Sequence, residues 1–239
     1  MGGGPVNTVT VSEIFGPTIQ GEGPSMGRRA AFVRLGRCNL NCSWCDTPFT
    51  WDWTGQNGTV FDPSTELASI PVGEVADTVR EMGVRLLVVT GGEPMIQQRK
   101  ISELVDLLDG ITTEVETNAT IVPIAATTDA VTRYNLSPKL ANSGIPHRQR
   151  ISDEAIAAYL ETGKAILKFV VQTAADVEEI EHLTDRHNID PDLVWIMPEG
   201  RTQTEIMAAS QHVMEQAIIH RWNYSSRLHV LGWGDRRSV

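Results

Sequence analysis

Apolar runs alternate along this chain with stretches of helical periodicity, and that alternation limits the folds open to it more than any other feature. The segments "VTVSEIF" (9–15), "AAFVRL" (30–35), "RLLVVT" (85–90) and "TTEVET" (112–117) read as strands. So do "AVTRYNL" (130–136), "KAILKFVV" (164–171), "DLVWIMPEG" (192–200, running into a turn) and "RLHVLGW" (227–233). Helices are predicted between them. The segment 72–82 places Val75 and Val79 one turn apart, and 97–110 ends at a glycine. Ser152 caps 152–163, acids fill its first turn and Gly163 closes it; 174–188 and 201–220 complete the set. Repeated strand-then-helix order predicts a parallel sheet covered by helices. The 239 residues suit a single domain over 1–239, with enough chain to bury a core without staples.

In such folds ligands gather beyond the carboxyl ends of the strands. The unusual motifs "CNLNCSWCDT", "TGGEP", "ETN", "LSPK" and "MPEG" each follow a strand, so they are expected on one rim. A Trp-, Gly- and Asp-rich insertion at about 47–63 follows the cysteine loop of 36–47, and no motif explains its Trp51–Trp53 stretch.

The formal net charge is −10 and no Lys/Arg-rich run occurs, which argues against a nucleic-acid partner. No apolar run approaches the length of a membrane span. The opening "MGGGPVNTVT" does not read as a signal peptide, and its glycines read as a tag remnant or a frayed end. A cytoplasmic, reducing location is the simplest expectation, and clustered cysteines there suggest metal or redox chemistry.

Cys38, Cys42 and Cys45 are the three cysteines of the chain, spaced Cys-x3-Cys-x2-Cys. A disulfide would strand one thiol. Structural zinc would need a fourth ligand, and His147, His182 or His229 could serve. An iron–sulfur cluster with three protein-held irons would leave the fourth open, which points to a reactive cluster rather than a plain electron carrier. In "TGGEP" (90–94) two glycines let backbone approach a ligand, Pro94 fixes the turn, and Glu93 could accept from an ammonium. An ordinary strand-to-helix turn is the plainer alternative.

With Trp44 as the aromatic before Cys45, the loop resembles the signature of radical S-adenosylmethionine enzymes, and "TGGEP" resembles the stretch with which they hold the cofactor's amino group. Over nearly the whole chain, "IFGPTIQGEGPSMGRRAAFVRLGRCNLNCSWCDT", "ETNAT", "LSPK", "MPEG" and "RLHVLGWGDRRSV" resemble, in order, the family of 7-carboxy-7-deazaguanine synthases. The resemblance implies an α/β fold, an incomplete (β/α) barrel open on one side, with the cluster at the carboxyl rim. It implies ring contraction of 6-carboxy-5,6,7,8-tetrahydropterin to 7-carboxy-7-deazaguanine with loss of ammonia, on the route to queuosine and other 7-deazapurines. It also implies an external reductant and a homodimer. A glycyl-radical-enzyme activase would share the cysteine loop but gives no reason for "TIQGEG". A non-catalytic zinc or Fe–S module is the rival from another class.

Residue roles follow from the same resemblance. Cys38, Cys42 and Cys45 would hold a [4Fe–4S] cluster whose fourth iron takes the amino and carboxyl groups of S-adenosylmethionine. Trp44 and Asp46 would lie against the adenosyl group, and Gly92 and Glu93 would hold the methionyl end. Glu116, Asn118, Ser137, Pro138 and Lys139 would serve ribose and carboxylate, and Met197, Pro198 and Glu199 would meet the adenine. Ile19, Gln20, Gly21 and Glu22 would form the pterin-binding turn, Glu22 accepting from the guanidine-like ring edge. Arg34 would bind a carboxylate or ring carbonyl, unless it pairs with Glu22 as scaffold. Thr90 would reach the same ligand, and His229 with the C-terminus would close the pocket. Thr47 would ligate Mg²⁺ beside the substrate carboxylate, unless it caps a turn, since Asp-Thr-Pro is good turn chemistry. Ala119 and Ser238 stand where relatives often have Gly.

Overall fold

The apolar runs are strands because they are buried on both faces. Leu86, Leu87, Val88 and Val89 are each 0% exposed, as in a parallel strand with helices outside and a filled interior. A computed structural model describes residues 7–239; the glycines at 2–4 lie outside them. Among the described residues one sheet contains β1 (Thr8–Ile19), β2 (Arg29–Leu35), β3 (Ala68–Pro71), β4 (Leu86–Gly91) and β5 (Thr112–Thr117). It continues with β6 (Arg133–Leu136), β7 (Ala165–Val171), β8 (Val194–Pro198) and β9 (Asn223–Tyr224). The order is β3-β1-β2-β4-β5-β6-β7-β8-β9. Strands β2 and β4 to β9 pair in parallel, and β1 runs antiparallel between β2 and β3. The barrel stays open between β3 and β9, as expected.

Helices Val72–Glu81, Gln98–Asp106, Asp153–Glu161, Ala174–Arg186 and Gln203–His220 lie outside. Their apolar faces meet the sheet in one core that includes Val75, Val79, Leu87, Val89, Leu136, Leu167 and Ile196. The predicted cap holds: Ser152 Oγ accepts from the Ala155 N–H at 3.2 Å. Successive strand residues face opposite ways. Leu86 and Val88 therefore turn inward, clustering with Phe15, Ala30 and Phe32. The Phe15 and Phe32 rings stack at 4.9 Å beneath the rim.

One element differs in kind from expectation. "RLHVLGW" is a helix, Leu228–Trp233, not a strand. Leu231 N–H donates to Arg227 at 3.1 Å and Gly234 N–H to Val230 at 2.9 Å. Leu228 and Val230 imitate strand alternation, but of these only Val230 is buried, and β9 already forms that end of the sheet. The short strands β3 and β9 had no periodicity long enough to detect. The insertion is largely exposed from Thr54 on, and its turn is organised round one buried carboxylate. Asp52, 1% exposed, accepts backbone N–H groups from Thr54, Gly55, Gln56 and Asn57 at 3.3, 2.8, 2.9 and 2.7 Å. No described helix is long and apolar enough to cross a membrane.

Candidate active site

The strand ends bring the motifs to one rim. The cysteine loop follows β2, the glycine turn β4, Asn118 β5, Ser137 and Lys139 β6, and Met197 to Glu199 lie at the end of β8. Every candidate site residue except Glu93 and Pro138 lines a single cavity, including Ile19 to Glu22, Arg34, Thr47, Thr90, Glu116 and His229.

The three thiols are free. Leu40 N–H donates to Cys38 Sγ at 3.4 Å, and the Trp51 indole N–H donates to Cys45 Sγ at 3.3 Å. Burial pushes Cys38 up to about 12, with Glu93, Cys45 and Cys42 acting in the same direction, and burial also raises Cys42. Soft thiolates of this kind suit iron, whose positive charge deprotonates them outright. No three His, Cys, Asp or Glu side chains among the described residues gather round one ion-sized point. A four-iron cluster does not require that, because each thiolate holds its own iron. The donor set fits such a cluster.

The glycine turn presses directly on the cysteine loop. A Cβ on Gly92 would lie 2.2 Å from the Arg37 carbonyl oxygen and 2.9 Å from Cys38 Cβ. Glu93 N–H donates to that carbonyl at 2.9 Å. The Glu93 side chain does not face the cavity; it is 0% exposed. Its oxygens accept from Met95 N–H at 2.9 Å, Thr117 Oγ1 at 2.7 Å and Asn118 N–H at 2.7 Å. Burial raises its carboxyl above the usual range although those donors oppose the rise. Glu93 therefore ties the turn after β4 to the end of β5, and Gly92 and Asn118 are what the cavity meets.

The "IQGEG" turn arrives from the opposite end. Because β1 is antiparallel, Ile19 pairs with Arg29 at the start of β2, and the turn then runs inward below the rim. Gln20 Nε2 donates to Glu116 at 3.2 Å, and Gly23 N–H to Ser225 Oγ at 2.7 Å. A Cβ on Gly21 would lie 2.1 Å from His229 Nδ1, and the Leu228 N–H donates to the Gly21 carbonyl at 2.9 Å. The unexpected C-terminal helix thus packs against the turn and sets His229 on it.

Glu22 and Arg34 do not pair. Glu22 takes Lys168 Nζ at 2.5 Å and Arg227 Nε at 3.1 Å. Arg34 Nε takes Glu13 at 2.8 Å. Burial opposes ionisation of Glu22, yet Lys168 and Arg227 hold it well below the usual carboxylate range. Lys168 also meets Glu116 at 3.4 Å, and Glu116 accepts from Thr90 Oγ1 at 3.0 Å. Arg227 further pairs with Asp46 and donates to the Gly200 carbonyl at 2.7 Å. It joins the cysteine loop, the "MPEG" turn and the "IQGEG" turn. Lys168 and Arg227 were missed as site residues. Lys168 carried a readable signal, a cation in the interior of the apolar strand "AILKFVV", which is costly unless paired.

Thr47 precedes the 3-10 turn Pro48–Thr50, but its side chain makes no capping bond there. Its Oγ1 lies 3.7 Å from Cys45 Sγ. The C-terminal tail closes one side. Arg237 donates to Glu13 at 3.0 Å and to Glu66 at 2.9 Å, and its guanidinium lies 3.7 Å from the Phe49 ring centre.

Three free thiols in a loop after a barrel strand, pressed by a glycine turn, define a site for a radical S-adenosylmethionine enzyme. The family model of the Radical SAM superfamily matches residues 33–184. The chain is 35% identical over 231 residues to 7-carboxy-7-deazaguanine synthase of Pyrobaculum aerophilum, covering 96% of each chain. It is 35% identical over 261 residues to the same-named protein of Halobacterium salinarum, covering 98% of this chain and 93% of the other. A crystal structure of QueE from Escherichia coli superposes with TM-score 0.72 at 24% identity, over 93% of this chain and 95% of that one. The chain belongs to the radical S-adenosylmethionine superfamily and, within it, to the family of 7-carboxy-7-deazaguanine synthases.

Proposed function

We propose that the chain contracts the ring of 6-carboxy-5,6,7,8-tetrahydropterin to 7-carboxy-7-deazaguanine with loss of ammonia, in 7-deazapurine biosynthesis of the queuosine type. One observation carries this reading. The "IQGEG" turn and the cysteine loop come from opposite ends of the barrel and line the same cavity. Cys38, Cys42 and Cys45 would hold the [4Fe–4S] cluster. When bound, the cluster and S-adenosylmethionine supply one-electron reduction and a 5′-deoxyadenosyl radical able to take hydrogen from C6 of the pterin.

The chain's own residues position and enclose. Trp44 and Asp46 border the adenosyl group, with Lys139 Nζ 5.4 Å from the Trp44 ring centre and 3.0 Å from Ser137 Oγ. Glu116, Asn118, Ser137 and Lys139 receive ribose and carboxylate, and Met197, Pro198 and Glu199 the adenine. Glu22, fixed as a carboxylate by two cations, accepts from the guanidine-like edge of the pterin. Arg34 and Thr90 sit side by side in the register of β2 and β4, ready for the carboxylate and a ring group. Burial keeps His229 below its ordinary pKa, so it meets the substrate as a neutral imidazole at pH 7. Phe49 and the Arg237 tail keep water from this wall.

In the same reading Thr47 ligates Mg²⁺ together with the substrate carboxylate, because its hydroxyl lines the cavity and caps nothing. The chain works in the cytoplasm with a low-potential one-electron donor, and as a homodimer. Met207, Met214 and Ile218, exposed by 61, 43 and 78% and on one face of helix Gln203–His220, offer an apolar surface for the second copy. The test is anaerobic turnover with reconstituted protein, S-adenosylmethionine and dithionite, across a Mg²⁺ series. Formation of 7-carboxy-7-deazaguanine is expected, with the Mg²⁺ response retained in Thr47→Ser and flattened in Thr47→Ala. Cofactor cleavage without that product would reject the substrate. An unaltered curve in Thr47→Ala would reject the metal role alone.

A further inference from the structure

We propose that Trp51 tunes the cluster: its indole N–H, donated to the Cys45 sulfur, raises the potential at which the cluster accepts an electron. The inference rests on the reading of Cys45 as an iron ligand. Trp51 belongs to the insertion that no motif explained. Its Nε1 lies 3.3 Å from Cys45 Sγ and its ring lines the cavity. Indole nitrogen can only donate, so the direction of the bond is fixed.

The donor is held in place rather than free to swing. Trp51 N–H donates to the Pro48 carbonyl at 3.0 Å, and its own carbonyl accepts from Trp53 N–H at 3.1 Å. The next residue, Asp52, is 1% exposed and gathers the backbone N–H groups of Thr54 to Asn57, which ties the loop down on the C-terminal side of the indole. A residue serving only to fill space would not need an N–H aimed at sulfur.

Hydrogen bonds to cluster sulfurs stabilise the more electron-rich state and raise the reduction potential. One electron from a low-potential one-electron donor would take a cluster bound by the three thiolates from its 2+ to its 1+ state. No proton moves, and Trp51 keeps its N–H. The bond strengthens as negative charge builds on Cys45, so reduction is eased without adding a charge to the site. Trp51 is a positioning residue for electron entry, acting through Cys45.

The test compares wild type, Trp51→Phe and Trp53→Phe after anaerobic reconstitution. Iron and sulfide are counted per chain, and the reduced cluster is followed by electron paramagnetic resonance during a dithionite titration with mediators. Trp51→Phe is expected to keep the cluster and to show about a tenfold lower ratio of reduced to oxidised cluster at a fixed potential, about 59 mV in midpoint. Trp53→Phe should match wild type. An unchanged midpoint in Trp51→Phe with full iron and sulfide would overturn the inference. If Trp51→Phe loses the cluster, wild type grown with ¹⁵N-labelled tryptophan decides instead. Hyperfine coupling from the cluster to an indole ¹⁵N supports the bond, and its absence overturns it. A wild-type chain that binds no iron and sulfide would sink the assignment of the three cysteines itself, a different and separately visible failure.

Discussion

Lys168→Met removes one charge from the centre of the barrel while keeping most of the side-chain volume. The Lys168 side chain is 6% exposed and lies between Glu22 at 2.5 Å and Glu116 at 3.4 Å. Removing one partner of a buried pair costs about 3–5 kcal/mol, because the other charge is left uncompensated. Here Glu22 keeps Arg227 at 3.1 Å, and Glu116 keeps Gln20 at 3.2 Å and Thr90 at 3.0 Å. The loss should therefore sit near the lower bound, about 3 kcal/mol, against about 0–1 kcal/mol for an exposed pair. The pH dependence has a definite sign. Glu22 is depressed in the folded chain, so its contribution is present above the unfolded value of 4.5 and is lost as pH falls below it. Lys168 is raised, so its contribution is present below 10.5 and is lost as pH rises through the folded value. Urea unfolding of the reduced apoprotein at pH 7 and along an acid series measures both effects. The variant should lose about 3 kcal/mol at pH 7 and show a shallower acid limb. Adding Glu116→Gln should recover about 1 kcal/mol, since it removes one of the two carboxylates left behind. A loss below about 1 kcal/mol with the wild-type acid limb intact would refute the buried-triad reasoning.

Changing any one of Cys38, Cys42 or Cys45 to Ala should abolish both the cluster and cofactor cleavage; an iron assay and 5′-deoxyadenosine detection check this, and one variant with a full reducible cluster would contradict it. Gly92→Ala should displace the cysteine loop, since the new Cβ would meet backbone at 2.2 Å; iron incorporation should fall while the far-UV spectrum stays unchanged. Light scattering at micromolar concentration should give the mass of two 26.3 kDa chains, and a monomeric mass would reject the homodimer.

The parallel core was readable because strands buried on both faces, such as "LLVV" (86–89) and "AILKFVV" (165–171), leave mostly apolar runs between turn residues. The rim was readable because its motifs follow those runs directly. What escaped was set by tertiary pairing. Nothing local tells that Glu22 will choose Lys168 and Arg227, residues 146 and 205 positions away, over Arg34. The segment "RLHVLGW" failed for a related reason. Its few apolar residues fit either period, and docking of Leu228 on Gly21 decides the outcome. Conversely, structure explains two departures noted in the sequence. Ala119 and Ser238 have φ of 59° and 60°, the left-handed region that glycine enters most easily. Glu93 shows how a correct motif can mislead about one atom. Its carboxylate organises the turn from behind, and the cavity meets backbone and Asn118 instead.

The central claim is that one cavity brings the pterin ring to the cofactor's adenosyl carbon. Anaerobic turnover of 6-carboxytetrahydropterin deuterated at C6 tests it most directly. Loss of ammonia is redox-neutral, so the hydrogen taken from C6 must be handed back. Mass spectrometry should find the label on the 5′ carbon, in recovered S-adenosylmethionine and in any 5′-deoxyadenosine, with 7-carboxy-7-deazaguanine and ammonia formed. Unlabelled 5′-deoxyadenosine, with the deuterated pterin recovered intact, would contradict it.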